Sequence, residues 1–245
     1  MKKFSGALMA IVSFYFLVSC TETVAPVLTG SISGFVSLYE EDGTSIKDRS
    51  GVRVSIEGRS NFAFSNSDGR YNLENVSAGI FNIVYEKEGF GLNKIIAREF
   101  VGGGDAFIYE LPLSELPSYN VISLNIVKST AQPQTLNISG QVSDARNYYR
   151  HIRLFFGKKV SVSNHPKDYL AVNGITVYQD SISFNYSFGN YKTYFLQEGF
   201  NLGDTVYAAA YSMSDYGWGT PDPLTGRYYF YNVGSSPVKS SFVLD

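Results

Sequence analysis

From residue 31 onward the chain is written in a period of two. Ile32, Gly34, Val36 and Leu38 alternate with Ser31, Ser33 and Ser37, and Val52, Val54 and Ile56 alternate with Arg53, Ser55 and Glu57. That spacing puts apolar side chains on one face of an extended strand and polar ones on the other. Phe62 and Phe64, Tyr71 and Leu73, and Phe81, Ile83 and Tyr85 continue the pattern, broken by turn segments at 40–45, 67–70 and 74–79. Asp68-Gly69 is a turn signal, because glycine supplies the positive φ that a tight reversal needs. No long stretch of this half carries the 3.6-residue period of an amphipathic helix. The aromatic share, 16% with 19 Tyr and 18 Phe against one Trp, suits a pleated surface. The chain is therefore expected to be all-β.

The second half repeats this grammar with different residues. Phe107 to Leu111 reads as the last strand of the first half, and strand-like runs in the second fall at 121–127, 136–142, 151–156, 174–178, 181–188, 191–196, 205–212 and 227–232, most of them separated by Gly, Pro, Asn or Asp. The segment 111–120 carries Pro112 and Pro117, and the boundary between two domains reads as falling near Pro117. Three consecutive glycines at 102–104 lack the Lys-Ser/Thr of a phosphate-binding loop and no helix follows them, so they read as a flexible loop.

Charge suits the division, although solvated surfaces of different sign explain it equally well, and it narrows the partners. Residues 20–117 carry 8 basic and 14 acidic side chains, residues 118–245 carry 10 and 8. Neither half presents a basic stripe, so nucleic acid is not an expected partner.

Specific residues in the first half resemble the carboxypeptidase regulatory-like domain. They are Gly34-x-Val36, Gly51-Val52-x-Val54-x-Ile56, Asn66-Ser67-Asp68-Gly69-x-Tyr71-x-Leu73, Val76-x-x-Gly79-x-Phe81-x-Ile83 and Glu88-Gly89-Phe90. The charged stretch at 46–50 departs from the family, which usually has Pro or Ala before its second strand. The resemblance implies a transthyretin-like (prealbumin-like) sandwich over 30–116 with no chemistry of its own. In the remainder, 117–245, Leu202, Gly203 and Tyr207 resemble the turn-to-strand segment of fibronectin type III domains, which implies an Ig/fibronectin-III-like sandwich. The expectation is two tandem β-sandwiches.

The only cysteine, Cys20, follows a positive Met1-Lys2-Lys3 and an apolar run at 4–17 that is short for a membrane span. Leu17-Val18-Ser19-Cys20 resembles the bacterial lipobox. This implies a signal peptide over 1–19, lipidation at Cys20, a tether over 20–29 and anchorage on the outer membrane, on the periplasmic or the cell-surface side. Glu22 echoes the acidic stretch of Bacteroidetes-type surface lipoproteins. With no second cysteine, no disulfide framework is available.

No motif for catalysis is visible. His151 and His165, with Asp168 near the second, lack metal-ligand spacing, and Arg150 and Arg153 flank the first. The segment at 30–34 has Ile32 where a nucleophile elbow needs serine. No cofactor and no metal are expected, and the chain reads as non-enzymatic. A hydrolase built on a carboxylate pair stays open, because such pairs leave no local motif. So does a subunit of a surface assembly or fimbria-like fibre, which would use the strand-like tail at 236–244 for donation. The leading reading is a binding or scaffolding module for a glycan or protein ligand. Its candidate contacts are Trp218, Tyr216, Tyr229 and Tyr231, because alternation places Tyr229 and Tyr231 on one face and Tyr228 and Phe230 on the other. The bland alternative is that core and first domain cover both sets.

Overall fold

The computed structural model describes residues 27–216 and 219–245. The signal peptide, Cys20, most of the tether and Trp218 lie outside the described residues. Strands run β1 Thr29–Tyr39, β2 Ser45–Ile46, β3 Arg53–Ile56, β4 Phe62–Phe64, β5 Arg70–Ser77, β6 Gly79–Glu86, β7 Asn93–Phe100 and β8 Asp105–Ser114. One sheet has β1 between β5 and a parallel β8, with β2 at its far end; the other is ordered β4-β3-β6-β7. Ile32, Val36, Leu38, Val54, Ile56, Leu73, Ile83 and Tyr85 fill the space between them. Inside this core the Tyr71 and Tyr85 hydroxyls pair at 2.7 Å. Burial pushes the Tyr71 phenol up to about 12 and that of Tyr85 higher still, so both stay neutral donors and acceptors.

The 67–70 turn shows how the sequence sets local structure. Asn66 Oδ1 accepts the N–H groups of Asp68 at 3.1 Å and Arg70 at 2.9 Å, and Gly69 sits at φ 83°. A Cβ there would lie 2.2 Å from the Val36 carbonyl oxygen, so only glycine fits.

The second half holds β9 Val121–Lys128, β10 Thr135–Val142, β11 Arg150–Gly157, β12 Ala171–Val177, β13 Ser183–Gly189, helix α1 Tyr191–Gln197, β14 Thr205–Met213, β15 Thr220–Pro221, β16 Tyr228–Tyr229 and β17 Val238–Val243. Sheets β13-β10-β9 and β12-β11-β14-β17 enclose Leu136, Ile138, Ile152, Leu154, Phe156, Phe195, Ala208 and Ala210. The opposite faces of β11 and β14 are covered as well. Phe155, Ala209, Tyr211 and Met213 pack there under Val162, Tyr169, Phe230 and Val233. The 219–233 segment is thus a lid on the outer face of one sheet, closing it with Phe230 and Val233. It also meets the first half of the chain.

The all-β expectation holds for several antiparallel sheets, with corrections. Residues 191–196 form α1 and not a strand: Tyr191 and Phe195, an i and i+4 pair, are the buried ones, and in so short a run helical and strand spacing overlap. Strand β7 was not expected, because a register shift beside it and a positive φ at Ala97 (54°) break its alternation. The 227–232 run contributes only Tyr228–Tyr229, paired with Thr220–Pro221. The glycines at 102–104 form a loop held to the start of β1: Gly103 N–H donates to the Thr29 carbonyl at 3.0 Å and Ser31 N–H to that of Gly104 at 3.2 Å. The 236–244 tail supplies β17, paired antiparallel with β14. Among the described residues no helix is long and apolar enough to cross a membrane.

Candidate functional site

The Tyr228–Tyr231 stretch is fixed from below. The buried Tyr169 hydroxyl accepts the Tyr228 N–H at 2.8 Å and donates to the Tyr228 carbonyl at 2.7 Å. Asn164 Nδ2 donates to the Phe230 carbonyl at 3.3 Å. The Phe230 ring points into the sheet, edge-on to Phe155 at 5.5 Å and beneath the Arg153 guanidinium at 4.9 Å. With Phe230 directed inward, its neighbours on either side must point the other way. The Tyr229 and Tyr231 rings accordingly lie parallel, 5.6 Å apart with an interplanar angle of 2°, and both are half-buried. Tyr228 shares the Phe230 side yet stays 47% exposed, so the alternation fixes direction but not cover.

The stacked pair walls a cleft of about 490 Å³ between the two halves of the chain, a size suited to a small-molecule or oligomer segment. On the second-half side Asn164, His165, Asp222 and Leu224 join the tyrosines; on the other lie Glu57, Asn82, Lys94 and Ile96. Pairing of β6 with β7 brings Asn82 and Lys94 together. Both hold Glu57: Lys94 Nζ lies 2.6 Å from Oε1 and Asn82 Nδ2 donates to Oε2 at 2.6 Å. The Lys94 hydrogen bond, with that of Asn82, pulls the Glu57 carboxyl below its ordinary range. Asn82 is oriented in turn by the Ala97 N–H, which donates to its Oδ1 at 2.9 Å.

Asp222 is 3% exposed. It accepts from Thr225 Oγ1 at 2.7 Å and the Leu224 N–H at 3.3 Å, closing the loop between β15 and β16. The Thr225 hydrogen bond holds its carboxyl below the ordinary carboxylate range. Burial, reinforced by the negative fields of Tyr229, Glu57 and Asp222, pushes the Tyr231 phenol up. His165 stands edge-on to Tyr229 at 5.5 Å, and its Nδ1 accepts the Lys167 N–H at 3.2 Å.

Tyr216 sits elsewhere. It stacks on Tyr39, at the end of β1, with centroids 3.9 Å apart and rings 12° from parallel, and its hydrogen bond with Tyr39, then burial, raises its phenol. Around it the halves are laced together. Asp215 N–H donates to the Glu41 carbonyl at 2.9 Å, Ser118 Oγ to Glu41 Oε1 at 2.9 Å, and Thr220 Oγ1 to Asn93 Oδ1 at 3.0 Å. Gly91 lets the backbones touch, since a Cβ there would lie 2.6 Å from the Tyr231 carbonyl oxygen. His151 belongs to this seam, with Nε2 2.8 Å from Asp215 Oδ1. Of the predicted contacts, then, Tyr229 and Tyr231 share the cleft, Tyr216 stands on the seam, and Trp218 lies outside the described residues.

The cleft carries chemistry for holding a ligand. Two parallel rings offer a flat apolar face, and Glu57, Asn82, Asn164 and Lys94 offer fixed acceptors and donors around it. Both cleft carboxyls are held in the ionised form, whereas a glycosidase acid needs its carboxyl raised. Among the described residues no group of three or more His, Cys, Asp or Glu could hold a metal ion. Sequence reasoning passed over Glu57, Asn82, Lys94 and Asn164, which lie far apart along the chain and carry no local motif.

No family model matches the chain, and no curated protein matches it. Among solved structures, a putative carbohydrate binding protein from Bacteroides uniformis is 14% identical over 88% of this chain and 100% of its own, with a TM-score of 0.33. A DUF3823 family protein from Bacteroides ovatus is 16% identical over 88% of this chain and 99% of its own, with a TM-score of 0.31. A type II cohesin-X-dockerin complex from Acetivibrio cellulolyticus matches 35% of this chain at 17% identity and a TM-score of 0.30; the chain spans 58% of that one's length.

Proposed function

We propose that the chain is a non-catalytic, lipid-anchored binding protein of the bacterial outer membrane, of Bacteroidetes type, whose ligand is a glycan held in the cleft between two tandem β-sandwiches. In this reading residues 1–19 are a signal peptide, Cys20 bears the lipid, 20–29 are a tether, 30–116 form the transthyretin-like domain and 117–245 the Ig/fibronectin-III-like one. Support for the division is that, among the described residues, β1–β8 pair only with each other, as do β9–β17. The observation that carries the ligand reading is the parallel Tyr229–Tyr231 pair facing the Lys94–Glu57–Asn82 cluster. Sugar rings present apolar C–H faces and hydroxyl edges, which such a wall and such a rim satisfy together. Trp218 and Tyr216 are proposed as outlying contacts. Internal pairing of β17 weighs against a strand-donating fibre subunit.

The test is retention of the full chain on a glycan array and on immobilised polysaccharides. Tyr229→Ala should weaken binding by about 1–2 kcal/mol, a factor of roughly ten, and Tyr229→Phe should keep most of it. A wild-type chain that retains no glycan, or a Tyr229→Ala,Tyr231→Ala chain that binds as wild type, overturns the proposal.

A further inference from the structure

The pole of the first half where the chain enters β1 has an unusual surface. Val27 is 66% exposed, Leu28 56%, Ile80 69% and Val101 72%. They form one patch. The Leu28 carbonyl accepts the Ala78 N–H at 2.9 Å, which places it beside the start of β6, where Ile80 stands. On the other side Leu28 packs against the glycine loop: a Cβ on Gly102 would lie 2.8 Å from Leu28 Cβ, and one on Gly103 would lie 3.8 Å from its Cδ1. Val101 leads into that loop, directly after Phe100, which pairs with Gly79. Contiguous exposed aliphatic groups of this kind mark a contact surface.

We infer that this pole rests on the lipid bilayer, with Leu28, Ile80 and Val101 in its interfacial layer. The inference rests on lipidation at Cys20, because its force is the position of the patch relative to that anchor. Eight residue steps separate Cys20 from Leu28, a span of about 15 Å as a flexible coil and at most about 28 Å fully extended. So short a link holds the pole at high effective concentration over the membrane, and a few aliphatic side chains then suffice to seat it. The glycine loop adds no side chains to hold the surface off. Charges around the pole are of both signs: Arg59 lies over Phe81, Arg98 pairs with Phe81, Asp105 pairs with Ser31, and Glu99 pairs directly with Ile80. The contact is therefore apolar and not electrostatic. It orients the chain with the opposite end of β1, where Tyr39 stacks on Tyr216 and Glu41 meets Asp215, away from the membrane.

The test uses the lipidated full chain in phosphatidylethanolamine/phosphatidylglycerol vesicles, with a single added cysteine at Val101, Ile80 or Leu224 carrying an environment-sensitive fluorophore. Acylated Cys20 leaves no competing thiol, and Leu224, 83% exposed in the second half beside the cleft, is the reference outside the patch. Labels at 101 and 80 should shift to the blue and be quenched by shallow spin-labelled lipid, the label at 224 should do neither, and high salt should leave the pattern unchanged. Chains that float with the vesicles but show equal quenching at 101 and 224 overturn this inference alone. So does a blue shift at 101 without lipid quenching, which would indicate a second copy of the chain covering the patch. Failure to float overturns the anchor reading, and this inference falls with it.

Discussion

Replacing Tyr119 with Phe removes one oxygen and tests how the start of the second half is fastened to its β11–β14 ladder. Tyr119 is 1% exposed, and its hydroxyl accepts the His151 N–H at 2.8 Å while facing the carbonyls of His151 at 2.7 Å and Met213 at 2.8 Å. These are paired residues where β11 and β14 meet, so one hydroxyl closes the end of that ladder and ties it to the chain that arrives from Pro117. With a single proton it can donate to only one of the two carbonyls at a time. Phe therefore orphans one N–H and leaves one carbonyl short, each about 1–3 kcal/mol when buried. Together these give roughly 2–6 kcal/mol, a fall in melting temperature of roughly 10–20 °C for a unit of this size. Urea and thermal unfolding of Tyr119→Phe beside the wild type measure it, with Tyr109→Phe, at an 85% exposed site, as a neutral control. A Tyr119→Phe chain within about 0.5 kcal/mol of wild type would show that the bonds contribute no net stability.

Two further outcomes follow from the cleft and the seam. Because Lys94 and Asn82 lower the Glu57 carboxyl in the folded state, its stabilising contribution is complete above its unfolded value and is lost as pH falls through the folded one. The stability gap between wild type and Glu57→Gln, read by urea unfolding, should thus narrow below a pH of about 4.5; a gap constant down to a pH of about 3 contradicts that account. Gly91→Ala sets a methyl 2.6 Å from the Tyr231 carbonyl oxygen and 2.9 Å from Asn232 Cα. It should cost about 1–3 kcal/mol and weaken glycan retention, whereas Gly104→Ala, which meets nothing within 4 Å, should do neither.

Strands with clean alternation, such as β1 and β3, were legible from their spacing, β4 was read with its observed ends, and β5 continues to Ser77 through residues that read as a turn. Legibility stopped where the physics ceased to be local. Strand β7 hid because Ala97 turns through the left-handed region, and α1 hid because Tyr191, Tyr194 and Phe195 suit a helix while Tyr191, Thr193 and Phe195 suit a strand. Half of the candidate site was visible as well. Tyr229 and Tyr231 announce a shared face by spacing alone, but the Glu57, Asn82 and Lys94 wall exists only through the pairing of β3 with β6 and of β6 with β7, which no short motif encodes. The Phe230 anchor was invisible for a related reason: nothing along the chain reveals that β11 and β14 carry a second buried face.

That second face has a consequence for how recognition can change. Ala208, Ala209 and Ala210 keep β14 thin on both sides, and the segment bearing Tyr229 and Tyr231 is also the roof over Phe155 and Tyr211. A substitution in this segment that altered the ligand would also disturb the roof. Variation in specificity should therefore accumulate on the facing wall, at Glu57, Asn82 and Lys94, where side chains can be exchanged without uncovering a core. The tyrosine wall would be inherited almost unchanged, and the opposite wall would record what each descendant binds.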